Sequence, residues 1–287
     1  MATETTTTRP EETVEKVRDR YGRIAEGTLS GCCGPSTAPG CGTTEVGAAE
    51  AGAAVTIGYQ QEDLALVPEA ANLGLGCGAP VALLALQPGE TVLDLGSGPG
   101  LDALLAARKV GPQGRVIGVD MTAAMLERAR RTAAEAGAAQ VEFREGRLEA
   151  LPVADASVDA VTSNCVINLV PDKPAVFREV ARVLKPGGRL VVSDIVLDGP
   201  LPDVVAQDML AWVGCVAGAA LRQDYLAMIA SAGLTGIQVL HDFDYIAKVG
   251  GVLPEELLAK MRGVGVRVED LAGKIRSITY RAVKPGR

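Results

Sequence analysis

Apolar residues Val14, Val17, Tyr21 and Ile24 recur at spacings of three and four, the period of one helical face, and predict a helix running to about Gly27. Thr8-Arg9-Pro10-Glu11 ahead of it has the form of a capping box with proline in the first turn. Residues 28–56 lose the period. Gly, Ala, Thr and Pro dominate there, which predicts a flexible segment or lid. From Thr91 the pattern turns regular: the strand-like runs TVLDL, RVIGVD, VEFREG, VDAVTSN and RLVVSDI are separated by helical stretches near 101–110, 122–137 and 172–184. Such βαβ alternation predicts a mainly parallel sheet with helices on both faces and right-handed crossovers. Lys185-Pro186-Gly187-Gly188 supplies the turn into the fifth strand. After Asp194 the alternation breaks, and 198–222 reads as an irregular or helical insertion carrying Trp212 and Cys215. A helix (223–232), a strand (236–245) and a last strand (274–283) complete a seven-stranded sheet. Within 246–270 the run LPEELLAKM predicts a short peripheral helix with a solvated charged face.

Composition supports the α/β class. Of 287 residues, 48% are hydrophobic, yet only three are Phe, five Tyr and one Trp, so the core must be built from Ala, Val and Leu, as where helices pack on a sheet. A net charge of -7 and a pI near 5.0 argue against nucleic acid, whose affinity rests on Lys and Arg neutralising phosphates. No apolar run reaches the roughly 18 to 20 residues of a membrane span, and the first thirty residues are polar and acidic rather than signal-like. The expectation is a cytoplasmic protein whose six cysteines are free thiols, ligands or redox groups.

The run Asp94-Leu95-Gly96-Ser97-Gly98-Pro99-Gly100 follows one strand and precedes a helix, where glycines permit a tight turn and close approach of backbone to ligand. Position 101 is Leu, so the pattern is GxGxG and the dinucleotide fingerprint is not met. The next strand ends at Asp120, 26 residues after Asp94, where a carboxylate can accept both hydroxyls of a ribose. A glycine-rich turn alone could be only a strand-to-helix connection; with Asp120 at that spacing it describes an adenosyl site.

These residues resemble the motifs of class I S-adenosylmethionine methyltransferases over about 80–245. The resemblance implies a Rossmann-like fold and binding of S-adenosyl-L-methionine by Asp94, Gly96, Ser97, Gly98, Gly100, Asp120 and Met121. It also implies adenine contacts from Gly146, Arg147 and Leu148 through Glu149, and places Asn164-Cys165 beside the methionine half of the cofactor. Arg147 stands where these enzymes usually carry Asp, which implies that backbone groups make the adenine contact.

Cys77 lies in the glycine-dense run ANLGLGCGAP, where a thiol is expected to be mobile and approachable; Cys165 ends the fourth strand; Cys215 sits in the insertion. Each alone is compatible with a small buried hydrophobe. Three separated thiols with no neighbouring His and no CxxC pair suit a thiophilic pyramidal centre such as trivalent arsenic better than a four-ligand zinc site. The only histidine, His241, falls in a strand and reads as a bystander.

The runs ANLGLGCGAP, SNCVINLVPDKPAVFREVARVLKPGGRLVVSDIV and WVGCVAGAA are similar to arsenite methyltransferases. The resemblance implies that Cys77, Cys165 and Cys215 ligate arsenic and that Cys32-Cys33 serve as auxiliary arsenic or redox thiols; Cys41 has no match. Ala79 departs from the Asn usual after Cys-Gly. The expected division is then an N-terminal helix with a flexible Cys-containing segment (1–70), an S-adenosylmethionine-binding domain with the arsenic site (71–245), and an extension ending in a strand (246–287). The implied partners are arsenite or its complexes with glutathione or other small thiols, and a thioredoxin-type reductant. The implied reaction is attack of the arsenic lone pair on the cofactor methyl, with no general base and with proximity contributing about 7 to 11 kcal/mol. Two rivals share part of this pattern: a small-molecule C- or O-methyltransferase, and a non-catalytic metalloid-binding protein that needs no methyl donor.

Overall fold

The computed structural model describes residues 10–29, 46–249 and 255–286. Its centre is one seven-stranded sheet in the order β3-β2-β1-β4-β5-β7-β6. The strands are β1 (Thr91–Leu95), β2 (Arg115–Asp120), β3 (Val141–Glu145), β4 (Val158–Asn164), β5 (Leu184–Leu197), β6 (Thr235–Asp244) and β7 (Ile275–Val283). β1 pairs in parallel with β2 and β4, as do β2 with β3 and β4 with β5, whereas β7 runs antiparallel to both β5 and β6. All seven expected strands are present. What the hydrophobic pattern could not give is the place of the last one, wedged between β5 and β6.

The crossover helices Leu101–Val110, Ala123–Glu135 and Lys173–Val183 are those the periodicity predicts. Reversal of strand order beside β1 leaves a crevice at the carboxyl ends of β1 and β4, the usual ligand position in open parallel sheets. The first helix, α1 (Pro10–Ala25), turns Val14, Val17 and Ile24 inward; Thr8 and Arg9 of its expected cap lie outside the described residues. Residues 198–222 hold two short helices, Asp203–Ala206 and Met209–Val213, and Glu255–Gly263 is the peripheral helix. Among the described residues no helix is long and apolar enough to cross a membrane.

One expectation needs correction. The aperiodic stretch read as 28–56 ends in a helix, α2 (Val46–Ile57), which buries Ala54 and Ile57. Its sequence, VGAAEAGAAVTI, is alanine-rich nearly all round. It therefore has high helix propensity but no polar face to create an amphipathic signal.

Candidate functional site

The crevice is lined by the glycine loop, Asp120, the start of the β3–β4 connection and the end of β4, and it is roofed by α1 through Val14, Val17 and Tyr21. Gly96, Gly98 and Gly100 all have positive φ, at 62°, 50° and 100°, a region that β-carbons disfavour. A β-carbon on Gly96 would stand 2.4 Å from Val166, whereas one on Gly98 would meet nothing within 4 Å. Gly96 is thus required for packing, and Gly98 keeps its edge open to a ligand. Gly100 does not line the crevice; it starts the helix Leu101–Val110.

Asp120 is held rigid. Its carboxylate accepts from Gly98 N at 3.0 Å and Thr122 N at 2.8 Å, which ties the end of β2 to the loop after β1. Met121, Gly146, Arg147, Leu148, Glu149 and Asn164 also line the crevice. The Arg147 side chain turns to salt-bridge Glu149 at 3.0 Å and Glu11 on α1 at 3.1 Å, fastening the roof instead of facing a base.

Asp94, Asp102 and Asp120 make the crevice strongly acidic. Burial pushes the Asp94 carboxyl well above the usual range, reinforced by Asp102 and Asp120; burial raises Asp102 to about 6. Asp94 Oδ2 and Ser97 Oγ are buried with no hydrogen-bond partner, an arrangement that costs free energy unless a ligand satisfies it. Unpartnered acceptors in an acidic crevice, an open glycine edge and a fixed ribose-type carboxylate fit a cationic adenosyl cofactor.

Cys165 and Cys215 line one end of this crevice, and Cys77, which does not itself line it, lies against Cys165. Cys77, Cys165 and Cys215 are free and buried. The Cys215 thiol donates to the Cys165 carbonyl at 2.9 Å. The Cys77 and Cys165 sulfurs and a carboxylate oxygen of Asp194 lie within 4.8 Å of one another. Cys165 and Cys215 both have positive φ, 59° and 64°; among the described residues only Ala85 and Ala156 share that property outside glycine. Left-handed backbone at two buried cysteines is strain of the kind that functional sites hold.

All three thiols are neutral. Burial pushes Cys77 up. For Cys165 the bond from Cys215 pulls downward, but the bond with Cys77 and burial outweigh it and hold the thiol well above its usual value. Cys215 is raised by its bond with Cys165 and by burial, opposed by a bond from Tyr21 of α1.

The mobile, approachable Cys77 expected from its flanking glycines is not found. Its side chain is fully buried, and its loop is pinned: Cys77 N donates to Asn164 Oδ1 at 3.0 Å, Asn164 Nδ2 donates to Gly78 O at 2.7 Å, and Ser277 Oγ donates to Cys77 O at 2.6 Å. The glycines serve close approach, since a β-carbon on Gly78 would lie 2.4 Å from Ser193 Oγ. Cys32, Cys33 and Cys41 lie outside the described residues. His241 is exposed on β6.

Sequence reasoning missed Tyr59, Asp102 and Asp194. Tyr59 donates to Asp102 at 2.8 Å, and Asn164 donates to Tyr59 at 2.8 Å. Asp194 is fully buried, raised to about 7 by burial, and accepts from Tyr225 at 2.8 Å. No motif marks these residues; a carboxylate within the mostly apolar second half of β5 was the only available signal for Asp194.

The sheet order, the glycine loop and Asp120 define a class I methyltransferase. A family model described as a methyltransferase domain matches residues 86–233. The chain is 49% identical to an arsenite methyltransferase of Halobacterium salinarum over 80% of its own length and 59% of that protein's. It is 34% identical to an arsenite methyltransferase of Aquipseudomonas alcaligenes over 95% of its own length and 78% of that protein's. The crystal structure of an arsenic(III) S-adenosylmethionine methyltransferase from Chlamydomonas reinhardtii matches with a TM-score of 0.61 and 34% identity, over 82% of this chain and 74% of that one. This chain belongs to the arsenite methyltransferase family, and it spans about three fifths of the length of its haloarchaeal relative.

Proposed function

We propose that the protein transfers the methyl group of S-adenosylmethionine to trivalent arsenic held by Cys77, Cys165 and Cys215, in the service of arsenic detoxification. The observation that carries this reading is the meeting of three free, buried cysteines from three separate parts of the chain, two of which, Cys165 and Cys215, line the crevice that holds Asp94, Gly98 and Asp120, with Cys77 against Cys165. Bound there, the cofactor supplies an electrophilic methyl group on a positively charged sulfur. The acidic crevice favours that charge, and the α1 roof, fastened by Glu11 and Arg147, excludes water from it.

The neutral state of the thiols suits uptake of arsenite. Each S–H condenses with one As–OH, forming an As–S bond and releasing one water, so three neutral thiols take up neutral arsenous acid with no net proton transfer. Arsenic held by three sulfurs retains a lone pair, the nucleophile the reaction requires. No general base is needed, and the chain's work is alignment. Small thiols such as glutathione would deliver arsenic by thiol exchange. Donation of the lone pair leaves arsenic pentavalent; two site thiols can return it to the trivalent state by giving two electrons and forming one disulfide, which a thioredoxin-type dithiol reduces.

The test is mass spectrometry of arsenic species after incubation with arsenite, thiol and S-adenosylmethionine, run beside Cys77→Ser and Cys165→Ser. Methylated arsenic from the wild type, lost in both variants, supports the reading. Full methylation by Cys165→Ser would overturn the three-sulfur site. A wild type that binds the cofactor yet methylates no arsenic would redirect the methyl group to a small organic acceptor.

A further inference from the structure

Asn164 lines the cofactor crevice, and both of its side-chain N–H groups are already engaged within the protein. Its two N–H groups face three acceptors: Gly78 O at 2.7 Å, the Tyr59 hydroxyl at 2.8 Å and Asp102 Oδ2 at 3.2 Å. Its carbonyl oxygen accepts from Cys77 N at 3.0 Å. The orientation of the amide is fixed by this network, because the Cys77 N–H requires an acceptor and the Gly78 carbonyl requires a donor. The amide thus brackets Cys77, bonding the N–H on one side of its thiol and the carbonyl on the other. Asn164 also immediately precedes Cys165.

A second residue holds the same loop. Ser277 Oγ, on β7 and 200 residues away in the chain, donates to the Cys77 carbonyl at 2.6 Å. Ser277 is 1% exposed and does not line the cofactor crevice. Below it, the Ser193 and Thr279 hydroxyls bond each other at 2.8 Å, and Gly78 rests against this pair.

We infer that Asn164 and Ser277 form a clamp that presents the Cys77 sulfur to the arsenic site, and that both are positioning residues for arsenite affinity rather than for cofactor binding. The inference rests on the function proposed above as regards arsenite; the clamp itself is a property of the Cys77 loop. It works through backbone atoms only. Without it, the glycines on either side of Cys77 leave the loop free to sample conformations in which the sulfur is withdrawn, and arsenite binding must then supply the ordering free energy.

The closing experiment uses Ser277→Ala as the main variant, because it removes one hydroxyl outside the crevice, with Asn164→Ala beside it. Two quantities are read in the 287-residue chain without cofactor. The first is the rate of Cys77 alkylation by a maleimide, resolved by peptide mass spectrometry. The second is arsenite affinity, followed through Trp212, the only tryptophan in the chain, three residues before Cys215. A steady-state assay and calorimetry of S-adenosylmethionine complete the set.

Ser277→Ala is expected to speed Cys77 alkylation and weaken arsenite binding, each by about tenfold, as for loss of one buried hydrogen bond. The rise is expected in KM for arsenite, with kcat and cofactor affinity unchanged. Unchanged alkylation and unchanged arsenite affinity would overturn the clamp, as would a loss confined to kcat. A wild type that binds no arsenite would sink the proposed function, while the alkylation rates would still decide whether the clamp exists.

Discussion

The Cys215 thiol donates to the backbone carbonyl of Cys165 at 2.9 Å, so two cysteines 50 residues apart are joined where both backbones take left-handed conformations. A non-glycine residue in that region carries a strain of order 1 to 3 kcal/mol. Replacing Cys165 by glycine relieves this strain and removes a small buried side chain, two effects of opposite sign. Cys165→Gly is expected to unfold within a few degrees of the wild type while losing arsenite binding. A large fall in its thermal midpoint would show that Cys165 serves packing.

The glycine loop offers a graded test. Gly96→Ala places a β-carbon 2.4 Å from Val166 at a φ of 62°, whereas Gly98→Ala at a φ of 50° meets nothing. In stability Gly98→Ala bears only the left-handed penalty of about 1 to 2 kcal/mol, but its methyl group enters the edge left open to the ligand and is expected to weaken S-adenosylmethionine binding. Gly96→Ala adds a clash in a packed region and is expected to be the less stable of the two and to bind S-adenosylmethionine at least about tenfold more weakly than the wild type. Thermal unfolding and calorimetry check both.

Arg147 bridges the crevice floor and the α1 roof through Glu149 and Glu11. The Glu11 contact is exposed, and such pairs contribute less than about 1 kcal/mol and weaken with salt. Glu11→Gln is therefore expected to reduce cofactor affinity about two- to fivefold at low ionic strength, with the difference vanishing at high salt. A salt-independent loss would mean that α1 is held by packing alone.

Buried carboxyls set the pH dependence of stability. Asp194 is raised to about 7 and Asp102 to about 6. In the window between their unfolded values near 4 and these folded values, the native state binds more protons than the unfolded chain. Their contribution to stability is therefore full at the acid end and is lost as pH rises to about 7. Glu142, lowered to about 2 by Arg144 and Arg115, acts oppositely, but only below its unfolded value. The melting temperature of Asp194→Asn, followed from pH 5 to 8, is expected to vary less than that of the wild type. Identical slopes would show that Asp194 does not carry the effect.

The sheet was largely legible because each strand is a short apolar run bounded by turn residues, and the glycine loop because its chemistry is local. α2 was not legible, since an alanine-rich helix has no contrasting face. The role of Arg147 was anticipated only as a departure from the usual acid; its partner Glu11 is 136 residues away, beyond any local pattern.

The sequence by itself determined the strands and crossover helices, the adenosyl loop with Asp120, and the identities of three candidate thiols. These follow from periodicity, turn chemistry and residue type, which act over a few residues. Only the tertiary structure decided that the thiols meet and that they are neutral. It alone showed that Cys77 is gripped by Asn164 and Ser277 rather than loose. The reason is the path of β7: running antiparallel beside β5, it starts at the carboxyl end of that strand, and so brings the last segment of the chain to a site whose other parts lie up to 200 residues earlier.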